Sequence, residues 1–233
     1  MIPEIPRWRL AATGDRCLIV ELGDAAPAIQ PLADRLAELA LPGVLDIVPA
    51  LATVAVHFTP GALAPEDLAP RVAEVLAAPA TWAAADARLI EVPVCYEAEF
   101  GPDLPAVAAA CGCTPAEVLA RHTAAVHRVA MLGFAPGFPY LTGLDPMLNL
   151  PRRATPRTQV PAGSVAIAGV QTGIYPIATP GGWHLLGRTP LRLFDVTRSN
   201  PFLLAPGDRV RFVSISAADF RRAADGEAGG TAV

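Results

Sequence analysis

The 233-residue chain is 52% hydrophobic and 17% charged, with a net charge of −4. It is long enough for one large core or two small ones, and its mild acidity excludes a basic, aromatic-studded footprint for nucleic acid. All eighteen basic residues are arginine, so a lysine-bearing phosphate loop, a Schiff-base mechanism and a built-in biotin acceptor are excluded from this chain's own chemistry.

No run of about 18 uncharged apolar residues marks a membrane span. The opening MIPEIPRWRL places arginines and prolines where a signal peptide needs an apolar segment, so a cytoplasmic location is expected. WRLAATGDRCLIVELGD then reads as two short strands around the turn Thr13-Gly14-Asp15. In PAIQPLADRLAELA the residues Ile29, Leu32, Ala33, Leu36, Leu39 and Ala40 recur at helical spacing, and Leu41-Pro42-Gly43 supplies a stop. VLDIVPA and TVAVHF read as strands, the second with Val54, Val56 and Phe58 on one face and His57 exposed on the other. A second amphipathic helix follows through Leu68, Val72, Val75 and Leu76. The order ββαββα predicts a small α+β domain over residues 1–88, of which the alanine-rich 78–88 is the linker.

From residue 89 a second domain, 89–225, is expected. LIEVPVCY alternates Ile90, Val92, Val94 and Tyr96 on one strand face. Two helices follow, the second opened by the capping box Thr114-Pro115-Ala116-Glu117. A stripe of Val118, His122, Ala125 and Val129 points His122 inward, and the same helix would carry His127 about 140° away. Cys17, Cys95, Cys111 and Cys113 are expected as thiols, and Cys111-Gly112-Cys113 has no second closely spaced ligand pair, so no metal site is expected. Beyond residue 133, short apolar runs between prolines and glycines suggest a closed barrel or sandwich. The Ala- and Gly-rich tail after Phe220 is expected to fray.

GFAPGFPYL, residues 133–141, cannot be helix interior or central strand, because Pro136 and Pro139 lack N–H donors. Its apolar area requires packing, either as a structural corner or as a pocket wall formed by Gly137, Phe138 and Tyr140. In residues 151–190, Arg152, Arg153, Arg157 and Arg188 are spaced among turns. Guanidinium forks suit an anionic ligand, though each could equally hold a loop. Gln171, Tyr175 and His184 could add hydrogen bonds, and Pro180-Gly181-Gly182-Trp183 is a tight turn carrying an aromatic. No G-x-S-x-G elbow is present, since Ser164 sits in AGSVA, which leaves His122 and His184 as the acid–base candidates.

Taken in order, PVCYEAEFGPDL, GFAPGFPYL, PRRATPRTQVPAGSVAIAG, QTGIYP, TPGGWHLLGRTP and PGDRVRF resemble the family formed by the B component of bacterial 5-oxoprolinase. The same family is also called allophanate hydrolase subunit 1, and it includes a histidine-kinase inhibitor. Where a tyrosine is expected after His122, this chain has His127. The resemblance implies a small N-terminal α+β domain followed by a cyclophilin-like β-barrel. It also implies ATP with magnesium at a site shared with a partner, a second subunit of the C type, and a third subunit that completes ring opening of 5-oxoproline to glutamate. Two alternatives stay open: a carboxyltransferase or allophanate hydrolase subunit of urea metabolism, and a kinase inhibitor acting by protein binding.

Overall fold

The computed structural model describes residues 8–23, 29–77 and 87–229. These form two compact units that divide after residue 86, so most of the expected linker lies outside the described residues. In the first unit, β1 (Arg9–Ala12), β2 (Cys17–Glu21), α1 (Ile29–Glu38), β3 (Val44–Pro49), β4 (Thr53–Phe58) and α2 (Pro65–Ala77) follow one another in the expected order. The sheet is antiparallel, ordered β1-β2-β4-β3. Its core joins Leu18, Val20, Val54, Val56 and Phe58 to Leu32 and Leu36 of α1 and to Leu68, Val72 and Leu76 of α2. The predicted stripe overruns α1 at its end: Ala40 takes a left-handed φ of 44°, which terminates the helix before Leu41-Pro42-Gly43.

The second unit opens with β5 (Leu89–Cys95) and the short helices α3 (Leu104–Ala110) and α4 (Pro115–Ala124). Next come β6 (Val126–Leu132), β7 (Pro139–Thr142), β8 (Arg157–Val160), β9 (Ser164–Ala168) and β10 (Gln171–Ile174). β11 (Thr179–Gly181), β12 (His184–Arg188), β13 (Arg209–Ile215) and α5 (Ala217–Gly229) complete it. Seven strands close into a barrel in the order β10-β7-β6-β13-β5-β12-β9, while β8 and β11 form a separate two-stranded arm. The chain is thus an α+β protein in which a small α+β unit precedes a cyclophilin-like barrel.

α4 starts at the predicted box, with Thr114 Oγ1 accepting from the Glu117 N–H at 3.2 Å and the Glu117 carboxylate accepting from the Thr114 N–H at 2.7 Å. Its other end corrects two expectations. The helix stops at Ala124, and His127 lies on β6, not on the helix. The stripe through Ala125 and Val129 imitates helical spacing, but Ala125 is already extended (ψ 144°). Both histidine rings therefore meet inside the barrel, 5.3 Å apart, beside Phe212, which stacks on His122 at 4.5 Å. The C-terminal tail differs too. It continues as α5 through Gly229, because Ser216 Oγ accepts from the Asp219 N–H at 3.1 Å, and the alanines that follow have the highest helix propensity.

The His122 tautomer follows from its partners. Thr172 Oγ1 donates its one proton to the Ala166 carbonyl at 3.0 Å, so at 2.9 Å it accepts from His122 Nε2–H. Nδ1 then accepts from the Tyr96 hydroxyl at 2.8 Å. His122 is fully buried, and burial, reinforced by His127, pushes its pKa well below the usual value; burial also lowers that of His127. A depressed folded-state pKa gives stability that is whole above the unfolded value and is lost as pH falls through it, because the unfolded chain takes up protons the barrel refuses. The denaturation midpoint should therefore fall between pH 7.5 and pH 5.5, with a slope of up to about 1.4 kcal/mol per pH unit for each histidine. Urea titrations at the two pH values check this, and a flat midpoint would contradict it.

Candidate functional site

The wall formed by β9, β10 and β12 has two differently built faces. Val165, Ile167, Ile174 and Leu186 face the barrel interior with Thr172, whereas Ala166, Ala168 and Leu185 face outward into a separate cluster with Phe138, Tyr175 and Trp183. Small residues on the outside leave room for rings. A Cβ on Gly173 would lie 3.0 Å from both Phe138 Cζ and Trp183 Cζ3, so this glycine is required by the close approach of two aromatics. The rings meet edge to face or tilted: Phe138–Trp183 at 5.5 Å, Phe138–Tyr175 at 5.1 Å, Phe138–Tyr140 at 5.0 Å and Tyr140–Trp183 at 5.9 Å. Gln171 lies on this face as well, since its cross-strand partner is Ala168.

The loop of residues 133–138 borders this patch. Ala135-Pro136-Gly137-Phe138 closes with the Phe138 N–H donating to the Ala135 carbonyl at 3.0 Å, and Gly137 has φ 80°. Proline second and a left-handed glycine third are the requirements of a type II turn. Phe134 is more unusual, a bulky residue at φ 68° that remains 62% exposed while touching Phe138 edge to face at 5.4 Å. A strained, solvent-facing ring beside a buried aromatic cluster is the arrangement expected of a binding surface.

The β8–β11 arm supplies the charge. Arg157 is the cross-strand partner of Gly181, and a Cβ on Gly181 would fall 2.8 Å from ring carbons of Tyr175. Paired residues share a face, so the Arg157 side chain runs beside the Tyr175 phenol. Burial raises the Tyr175 pKa against the opposing Trp183 backbone hydrogen bond and the charges of Arg152 and Arg157, which keeps the phenol a neutral donor. Arg157 Nη2 and Arg153 Nη1 both donate to Asp103 Oδ1, at 2.7 and 3.1 Å, and Asp103 Oδ2 accepts from the Leu185 N–H at 2.8 Å. Burial alone would raise the Asp103 pKa. The Arg157 and Leu185 hydrogen bonds and the two positive charges outweigh it and hold the carboxyl ionised below its usual range.

The predicted residues fall into two groups. Gly137, Phe138, Tyr140, Gln171, Tyr175, Arg153 and Arg157 converge on the outer patch, with Arg152 exposed at its rim. His122, His184 and Arg188 do not join them. His122 sits inside the barrel. His184 shares the inner face with Ile167, and its Nε2–H donates to the Pro151 carbonyl at 2.8 Å. Arg188 stands four residues further along β12, about 13 Å away at strand rise. Its Nε donates to the Ala162 carbonyl at 2.7 Å, and its guanidinium lies 5.9 Å from the Phe220 ring of α5. Phe134, Trp183 and Asp103 lie on the same patch although the sequence reading does not place them among the binding residues. The PGGW turn signals Trp183, whereas Asp103, although inside the PVCYEAEFGPDL segment, has its side-chain partners 50 to 82 residues away.

A family model described as "Carboxyltransferase domain, subdomain C and D" matches residues 8–204. The chain belongs to this family. Among curated relatives similar to this carboxyltransferase-family chain, a Bacillus subtilis protein named as the B component of 5-oxoprolinase is 40% identical over 92% of this chain and 95% of its own length. The Escherichia coli O157:H7 protein of the same name is 43% identical over 89% and 96%. Among solved structures, TTHA0988 superposes with a TM-score of 0.75 at 40% identity over 87% of this chain, which spans 40% of that longer protein.

Phe138 is 1% exposed, and the rings of Phe134, Tyr140, Tyr175 and Trp183 all pack against it. It therefore anchors the wall rather than contacting ligand. Phe138→Ala should cost about 3–5 kcal/mol of stability, read as a lower urea midpoint at constant slope. A midpoint within error of the parent would show that the cluster is not a packed unit.

Proposed function

We propose that this chain is the B-type component of an ATP-dependent 5-oxoprolinase, that it works with partner subunits, and that the outer patch receives 5-oxoproline. The observation carrying the reading is the juxtaposition of Arg157, whose side chain is 24% exposed, with an aromatic cluster in which the buried Tyr175 and Trp183 back the accessible rings of Phe134 and Tyr140. A flat five-membered lactam lies against rings, and its carboxylate meets a guanidinium fork. The relatives' shared name supports the same choice. In this reading the chain binds and orients the lactam and keeps water from its apolar edge, while the hydrolytic step takes place in the assembled enzyme.

The residues here do not fit a nucleoside triphosphate. Asp103 offsets one of the two clamped guanidiniums, leaving too little positive charge for a triphosphate, and the chain has no lysine. ATP and magnesium are therefore assigned to the assembled complex, with the main contacts on a partner. A requirement for ATP puts the proposed complex in the cytoplasm; among the described residues no helix is long and apolar enough to cross a membrane. The family's description together with a partial match to a protein named urea amidolyase, 36% identical over 37% of this chain and 5% of its own length, favours a second reading, a carboxyltransferase acting on a urea-type substrate. Urea itself is uncharged and would leave the arginines without a ligand partner, whereas its carboxylated form, allophanate, would engage them, so a comparison of the substrates separates the two readings.

The isolated chain should be inactive, and the complex reconstituted with its partner subunits should turn over ATP only when 5-oxoproline is present. Arg157→Lys in that complex should raise KM roughly ten- to a hundredfold, because lysine cannot reproduce the fork. Full activity of the chain alone, or turnover with urea and none with 5-oxoproline, would overturn the proposal.

A further inference from the structure

We infer that Asp103 determines specificity, tuning this site to ligands with a single carboxylate over dianions such as phosphate. The inference rests on reading the outer patch as the ligand site, and does not depend on which ligand fills it. Two guanidiniums share one carboxylate oxygen, so the three groups together hold about one excess positive charge. The count cannot relax by movement of Asp103. Its other oxygen is held by the Leu185 N–H at 2.8 Å, its own N–H donates to the Leu185 carbonyl at 3.1 Å, and its carbonyl accepts from the Val107 N–H at 2.8 Å. The side chain is 6% exposed, so its charge is felt at short range and little screened by salt.

The guanidiniums keep capacity for a further acceptor. Arg157 Nη1 and Arg153 Nε are buried and meet no hydrogen-bond partner among the described residues, although a guanidinium carries five donors. A monocarboxylate arriving at the accessible part of Arg157, whose side chain is 24% exposed, would neutralise the excess charge. A phosphate dianion would leave one negative charge over within the clamp, facing the fixed Asp103 carboxylate and offset only by Arg152 at the rim, whose exposed charge is screened by solvent. Asp103 touches the arginines and not the ligand, so it is a positioning residue that acts through them. A purely structural Asp103 would change stability without changing which anion the site prefers.

The test is an NMR titration of the full chain with acetate and with inorganic phosphate at about pH 8, following the Trp183 indole and arginine Nε–H signals. The parent should bind acetate at least as well as phosphate. Asp103→Asn should shift the ratio of the two affinities towards phosphate tenfold or more, and Asp103→Glu, which keeps the charge, should restore it most of the way. If Asp103→Asn does not fold, Arg153→Gln tests the same count from the other side, and acetate affinity should fall about tenfold. An unchanged ratio in folded Asp103→Asn, unchanged acetate binding in Arg153→Gln, or no acetate binding by the parent would each overturn the inference. Failure of the 5-oxoproline assignment would instead show as a complex inert towards that substrate while the selectivity shift persists.

Discussion

One buried carboxylate ties together the parts of the barrel unit that form the site. β5 meets β12 at a single register position, Cys95 with Arg188, and Asp103 takes over part of the remaining β12 edge by exchanging hydrogen bonds with both backbone groups of Leu185. The same side chain pulls in Arg153 and Arg157 from the chain leading into the two-stranded arm. The arm itself is pinned by the Arg153 N–H, which donates to the Gly182 carbonyl at 2.8 Å. A buried ion pair contributes little net stability against an apolar replacement, because desolvation offsets attraction. What the Asp103 clamp does contribute is position: it fixes two guanidiniums beside the aromatic face.

That face exists because the barrel wall is built from unlike layers. Branched side chains fill the interior, while Ala166, Ala168 and Gly173 leave the outside flat enough for four rings. At His122 the interior is closed to chemistry by its own satisfaction, although the buried Nδ1 of His127 beside it meets no partner among the described residues. His122 has both ring nitrogens bonded, and its neighbours disfavour charge. Polar groups thus serve two ends in one unit, with a sealed neutral network holding α4 in the barrel and an ionised cluster at the outer rim.

Much of this is legible in the sequence wherever a period or a turn rule applies locally. The ββαββα order, the Thr114 cap and the barrel's short strands all follow from spacing and from Gly and Pro placement. Periodicity misleads where apolar residues happen to continue a stripe, which puts His127 on a helix that ends at Ala124. Composition misleads at the tail, where Ala and Gly suggest fraying although Ser216-Ala-Ala-Asp219 already spells a helix start. The arginines group together because they are close in sequence, yet the length of β12 carries Arg188 to the α5 side and away from Arg157. Asp103 lies within the recognisable PVCYEAEFGPDL segment, but its hold on the arginines cannot be read there, since that rests on contacts far along the chain.

The central claim is that the ligand sits on the outer face of the barrel, against the rings and beside the clamped arginines. A crystal structure of the chain assembled with its partner and soaked with 5-oxoproline tests it most directly. The account predicts the lactam ring against Phe134 and Tyr140, over the buried Tyr175 and Trp183, with its carboxylate within hydrogen-bond distance of Arg157 or Arg153. Ligand density inside the barrel near His122, or held wholly by the partner with this patch bare, would contradict it.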